Sequence, residues 1–411
     1  MKVFIKTFGC KVNQVESQWL AEKFESAGYS VCRDFEPADA CVLNTCSVTK
    51  EADRDAARLL RAITRRNPSA RLAVTGCYAT LSPEKILADA PGSLIVKNEE
   101  KEKLPEKLFS VIAGTDGWKI SGHKGRSRAF VKIQDGCDAG CAYCLVPLAR
   151  AKKISKPAEA VSGEISELKK LGFSEMVLCG INLGEYKCPE TGAGLPGLLE
   201  KIFRLKENFR IRLSSVEMNC LAPEFLPAAA SGGEKFCDHF HVPLQSGSAQ
   251  TLRDMGRRYA PEAFLRRLEA VKKVFPNAGI YCDVIAGYPT ETEKNFGETE
   301  KFCAGAGFSG LHVFSFSARP GTRAFNLKPL APEAVKQRAE TLRALDKKLR
   351  RDFAEKLVGT SQRVLIEKPG AKGEGVSSNF QRVEIQGAKN QGEIIKVKIS
   401  SARDGVCLAE L

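Results

Sequence analysis

The chain has 411 residues, 43% hydrophobic and 27% charged, the balance of a globular protein of two to three domains. No stretch approaches the about 18 consecutive apolar residues of a membrane span, and the opening MKVFIKTFGC lacks the apolar core of a signal peptide. Neither a membrane span nor a signal peptide is expected, and the protein is expected to be cytoplasmic. Its 15 cysteines then need a reason other than disulfides, and its net charge of +14 favours a polyanionic partner.

Residues 1–115 repeat one pattern three times, an apolar β-branched run ending at a cysteine: VFIKTFGC (3–10), ACVLNTC (40–46) and LAVTGC (72–77). Amphipathic helical stretches at 16–27 and 51–66 separate them, so the segment reads as βαβ units in an open parallel α/β domain. Parallel strands end on one edge of the sheet, where such folds bind ligands, so Cys10, Cys46 and Cys77 are expected to meet there. Cys32, Cys41, Cys282 and Cys303 sit in apolar surroundings and read as ordinary buried residues. A loop-like stretch at 116–125 (DGWKISGHKG) follows as a linker.

Strand–helix alternation then resumes. Strands are predicted at 129–134, 176–179, 210–214, 239–243, 280–285 and 311–316, with helices such as 158–171 and 261–274 between them. Six βα units predict a parallel sheet curled into a partial (β/α)6 barrel over 123–355. Directly after its first strand stands Cys137-Asp-Ala-Gly-Cys141-Ala-Tyr-Cys144. Iron–sulfur clusters are held by thiolates, commonly four, and three in one tight loop leave an iron of a [4Fe–4S] cubane open for S-adenosylmethionine (SAM) to chelate. A zinc knuckle would want a fourth nearby Cys or His, and none follows at that spacing. Residues 119–159 carry a net +6 and 253–273 a net +4. None of the four histidines shows an obvious pairing in the sequence.

A long charged helix is predicted at 332–357. From residue 358 to 411 the pattern becomes short β-rich runs at 363–367, 382–386, 394–399 and 405–408, with a Gly/Lys/Ser-rich turn at 370–379; together these predict a small all-β barrel. Phe380 is nearly its sole aromatic residue and its net charge is only +2, so base stacking is limited and the central basic segments are expected to share any RNA contact.

CxxxCxxC with an aromatic Tyr143 resembles the radical SAM superfamily. TFGCKVNQVES, LNTCSV, VTGCYA, CGINLG, IRLSSVE, HVPLQSGS, DVIAGYPTET and HVFSFSARPGT, spread over nearly the whole chain, resemble its methylthiotransferases. The resemblance implies a second [4Fe–4S] cluster on Cys10, Cys46 and Cys77 carrying an exogenous sulfur, and a cluster on Cys137, Cys141 and Cys144 where SAM is split into methionine and a 5′-deoxyadenosyl radical. A second SAM would methylate the sulfur. It also implies SAM contacts from Tyr143, Gly180, Asn182, Ser214, Glu217, Gln245 and Ser246, each of which reads equally well as a turn or cap residue. The terminal module resembles the TRAM RNA-binding barrel. GCKVN at Cys10 resembles the branch acting on N6-threonylcarbamoyladenosine at position 37 of the tRNA anticodon loop; the isopentenyladenosine branch typically has GCQMN and the ribosomal-protein branch GCPKN. Those two substrates, and a non-catalytic iron–sulfur RNA sensor, stay open as alternatives. A monomer fed by an electron donor such as flavodoxin or ferredoxin is expected.

Overall fold

The three cysteine-ended runs become adjacent strands. In the computed structural model, which describes residues 1–111, 118–122 and 125–410, Lys2–Thr7, Ala40–Thr45 and Arg71–Gly76 form the middle of a five-stranded, all-parallel sheet. Its edges, Ser30–Cys32 and Leu94–Val96, are three residues each, too short to show a period in the sequence. Thr7 pairs with Asn44 and Thr45 with Gly76, so the strand ends that precede the cysteines lie level.

Helix Lys11–Ser26 buries Val12, Val15, Trp19, Leu20 and Phe24 on one face of this sheet. It starts five residues before the stretch predicted at 16–27, because Asn13 and Glu16 are buried polar groups that the hydrophobic period does not reveal. Helix Lys50–Arg66 covers the other face with Ala56, Leu60 and Ile63, and Thr49 caps it by accepting from the Ala52 N–H. The linker predicted at 116–125 lies partly outside the described residues, as does the expected domain boundary at 115. Its residues 118–122 are docked: Trp118 packs on Trp19 with ring centroids 4.8 Å apart.

Two three-stranded parallel sheets follow, Ala129–Lys132 with Glu175–Cys179 and Arg210–Leu213, then His239–His241 with Gly279–Ala286 and Gly310–Ser315. A parallel bridge between Ile211 and Phe236 joins them, so six strands run in chain order as a partial barrel. Val131, Leu178 and Ile211 pack outward under the helices Ala158–Lys170 and Pro261–Val274. Side chains alternate along strands, which turns Lys132, Cys179 and Arg212 toward the lumen.

Five strands, Ser361–Lys368, Gly370–Ser377, Arg382–Ala388, Ile394–Arg403 and Val406–Glu410, close the C-terminal barrel. The turn expected at 370–379 is therefore mostly a strand. Its glycines hid it, yet they are what lets the barrel close: a Cβ on Gly373 would stand 2.4 Å from the Ala388 Cβ. Arg210 and Arg212 fasten this barrel to the partial barrel by donating to the carbonyls of Arg363, Val376, Ser377 and Ser378. Both also pair with buried Glu175. Burial pushes the Glu175 carboxyl up, but Arg212, Arg210 and Arg128 outweigh it and hold it below the usual carboxylate range.

Candidate active site

Cys10, Cys46 and Cys77 each follow the end of a central strand, and Cys77 stands close enough to Cys10 and Cys46 to help raise both of their thiols. Gly9, at φ +90°, makes the approach possible. A Cβ there would sit 2.5 Å from the Cβ of Cys46 and 2.6 Å from its sulfur, so any other residue would fill the space beside the thiols. Cys10 opens helix Lys11–Ser26 as its N-cap. Burial pushes the Cys46 thiol up to about 12, so it ionises only when a cation displaces its proton.

The loop of Cys137, Cys141 and Cys144 is held open in the same manner. Gly136, at φ +79°, lets the chain turn where a Cβ would meet the Lys152 carbonyl at 2.1 Å. The backbone N–H groups of Ala139 and Val146 donate to the Cys137 and Cys144 sulfurs, each at 3.4 Å, and Arg257 donates to the Cys141 sulfur at 3.4 Å. These donors favour thiolates. Burial again pushes Cys144 up to about 12.

Each triplet offers three thiols, the donor set that would hold a [4Fe–4S] cluster with one iron left open. All six cysteines are free thiols. Cys77 of one set and Cys144 of the other line a cavity of about 220 Å³, together with Ser47 from the N-terminal domain and Tyr143, Gln245 and Asp283 from the partial barrel.

The residues expected to touch SAM divide among different surroundings. Tyr143 and Gln245 line this shared cavity, Gln245 in a left-handed conformation at φ +72°. Asn182 and Glu217 line a second cavity of about 280 Å³ beside Cys141. There the Asn182 Oδ1 is buried with no hydrogen-bond partner among the described residues, and Glu217 pairs with Arg257. Ser214 lines a third and larger cavity, its hydroxyl also unpartnered. Gly180 and Ser246 line none of the three. Gly180 is a packing position, where a Cβ would meet Leu183 and Gln134 at 2.9 and 3.0 Å, and Ser246 commits its hydroxyl to Thr299 and the Ser248 N–H.

Sequence reasoning missed three features. His241 and His312, which lacked a visible pairing, both bond Asp283 Oδ1, at 2.7 and 3.2 Å, and His241 also bonds Ser215. Burial raises Asp283, but these two histidines outweigh it and hold it below the usual carboxylate range. His239 instead stacks on Phe380 at 4.4 Å, and His123 lies outside the described residues. Second, a buried charge network bolts the two domains together. Glu16 accepts from Lys101, from Lys132 at 2.8 Å and from both Arg150 nitrogens at 2.8 and 2.9 Å. Arg150 and Lys132 also pair with Asp135 at 2.7 Å. Third, Arg319 reaches across to Ser47 and Asp53 near Cys46, while Asn98 donates to the Ala149 carbonyl beside the cluster loop and stands 3.7 Å from the Cys77 sulfur. His241, Asp283, His312, Arg319 and Glu16 stood in the quoted motifs, whereas Asn98, Lys101 and Arg150 lie outside them and carried no sequence signal.

Residues 2–97 match the Uncharacterized protein family UPF0004 and residues 131–303 the Radical SAM superfamily. The chain is 34% identical over its full length to a threonylcarbamoyladenosine tRNA methylthiotransferase, MtaB, of Thermotoga maritima, covering 97% of that protein. MtaB of Bacillus subtilis is also 34% identical, over 97% of this chain and 94% of its own. A tRNA-2-methylthio-N(6)-dimethylallyladenosine synthase of Helicobacter pylori is 31% identical over 100% of this chain and 99% of its own. Among solved structures, the radical S-adenosylmethionine methyltransferase TsrM of Kitasatospora setae superimposes with a TM-score of 0.58 at 13% identity, over 79% of this chain and 75% of that one, a likeness of fold alone. Among the described residues no helix is long and apolar enough to cross a membrane.

Proposed function

The chain belongs to the radical SAM tRNA methylthiotransferases, and within that family we propose that it methylthiolates C2 of N6-threonylcarbamoyladenosine at position 37 of tRNA. The observation that carries the reading is that one cysteine of each triplet, Cys77 from the N-terminal domain and Cys144 from the partial barrel, lines the same cavity. Cys10, Cys46 and Cys77 would hold one [4Fe–4S] cluster and Cys137, Cys141 and Cys144 another, with SAM against the latter. Clusters and SAM supply the radical and sulfur chemistry that adenine C2–H requires, since that position is neither acidic nor bonded to a leaving group.

The chain supplies position and dryness. Leu145, Ile285, Phe314 and Phe316 give the shared cavity an apolar wall. The buried Asn182 Oδ1 offers an acceptor to an ammonium group, and Arg257 is fixed between Glu217 and Cys141. Asp283 lines the shared cavity while its partners His241 and His312 line the larger one, so this hydrogen-bonded group stands between the two. Electrons would come from a small carrier such as flavodoxin or ferredoxin, in the cytoplasm, to a monomeric enzyme.

Mass spectrometry of tRNA nucleosides from cells with and without the gene tests the reading. Loss of 2-methylthio-threonylcarbamoyladenosine, with its unmethylthiolated parent rising, supports it. An unchanged level of that nucleoside sinks it and points to the isopentenyl or ribosomal-protein substrate.

A further inference from the structure

The largest cavity, about 980 Å³, lies where the N-terminal domain, the partial barrel and the C-terminal barrel meet. It is strongly basic, but most of its charge is spoken for. Arg128 pairs with Glu367 and Glu175, Arg212 with Glu175, Arg350 with Asp346, and Lys368 with Glu374. Among the described residues three lining cations, Lys11, Arg126 and Arg382, have no ion pair. Arg126 donates to the Gln14 side chain and lies over Phe130, and Arg382 belongs to the C-terminal barrel. Lys11 is different in place: it follows Cys10 directly and is exposed to the cavity at the start of helix Lys11–Ser26.

Adenine geometry makes that place significant. C2 and C6, the carbon that bears the exocyclic N6, flank the same ring nitrogen, N1. A base whose C2 meets a sulfur held at the Cys10, Cys46 and Cys77 triplet therefore presents its N6 substituent to the residues immediately beside the triplet. A threonylcarbamoyl substituent ends in a carboxylate, whereas a dimethylallyl substituent is neutral and apolar. We propose that Lys11 determines substrate specificity by pairing its ammonium with the carboxylate of the N6-threonylcarbamoyl group. The inference rests on the substrate assigned above. Arg128, Arg212, Arg350 and Lys368 are committed to carboxylates of the protein, Arg126 is engaged by Gln14 and the Phe130 ring, and Arg382 stands on the C-terminal barrel, so of the cations without a carboxylate Lys11 is the one adjacent to the triplet. An unpaired carboxylate drawn into this cavity would lose its water without compensation, and a charge-assisted hydrogen bond to the ammonium restores it.

The test uses full-length, reconstituted enzyme and anticodon stem-loops carrying, at position 37, threonylcarbamoyladenosine, its methyl ester, dimethylallyladenosine or plain adenosine. Binding is read by fluorescence anisotropy, and KM and kcat by the methylthiolated product. Wild type is expected to bind the acid roughly tenfold or more tighter than the ester. Lys11→Gln should lose that difference through KM, while binding the plain adenosine loop as wild type does, and Lys11→Arg should keep it. Equal binding of acid and ester by wild type overturns the proposal without recourse to any variant, so it stands even where a substitution beside Cys10 disturbs the iron. Retention of the preference by Lys11→Gln also overturns it. Wild type that turns over the dimethylallyl loop but not the threonylcarbamoyl loop would instead defeat the substrate assignment on which the inference rests.

Discussion

Replacing Glu16 by glutamine should loosen the N-terminal domain from the partial barrel and disable sulfur insertion more than SAM cleavage. The carboxylate is fully buried and receives Lys101, Lys132 and two Arg150 bonds. With Asp135 it balances two of three buried cations; without it only one is balanced. Removing one partner of a buried ion pair costs about 3–5 kcal/mol, and Asp135 remains on Lys132 and Arg150 to retain part of that. About 3 kcal/mol is the expected loss, which lowers hydrogen-exchange protection of helix Lys11–Ser26 by roughly 100-fold. The pH dependence carries a definite sign. Burial raises Glu16, but Arg150, Lys101 and Lys132 outweigh it and place its folded pKa well below the ordinary value. Its contribution is therefore complete above the ordinary glutamate range and vanishes as pH falls through the depressed value. The difference between wild type and Glu16→Gln should be flat from about pH 6 to 8 and shrink only in strong acid. Equal protection in the two proteins at neutral pH, or a gap that widens on acidification, would refute the reasoning.

Cys141→Ala should abolish 5′-deoxyadenosine formation while keeping roughly half the iron, and Cys46→Ala should keep deoxyadenosine formation but insert no sulfur; iron assay and product chromatography decide, and sulfur insertion by Cys46→Ala would end the two-cluster division of labour. Gly9→Ala should lose iron from the N-terminal triplet only, because the added methyl collides with Cys46 in a left-handed backbone, and electron paramagnetic resonance of the reduced enzyme would register one cluster in place of two. Glu175→Gln should destabilise the seat of the C-terminal barrel by about 3 kcal/mol, seen as earlier proteolysis near residue 358, since Arg210 and Arg212 lose their shared carboxylate. Asp283→Asn should weaken stem-loop turnover while leaving SAM binding intact, because it unpairs His241 and His312 between the two cavities.

The strands of the partial barrel were legible because each kept a local signal. All six strands of the partial barrel fell within a few residues of their expected positions, and helix Pro261–Val274 matched its predicted ends. The cysteine triplet of the N-terminal domain was legible by topology, since parallel strands of similar length must end together. What stayed hidden was pairing between residues far apart in sequence. Glu16 and Arg150 are 134 positions apart, Arg319 and Ser47 are 272 apart, and no period or spacing connects such groups. Phe380 shows the same limit: it stacks on His239 from the partial barrel and lies beneath Arg212, so it serves the joint between domains rather than an outer RNA surface.

Charge was the feature most open to misreading. The basic segment at 119–159 suggested an RNA contact, yet Lys132, Arg150 and Lys156 are buried in ion pairs with Glu16, Asp135 and Glu164. A net count adds these cations to the surface charge although no phosphate can reach them. The same distinction gives Lys11 its weight. In a cavity where most cations already have a carboxylate, binding free energy for an anionic substrate comes from the few that do not, and among these Lys11 directly follows Cys10.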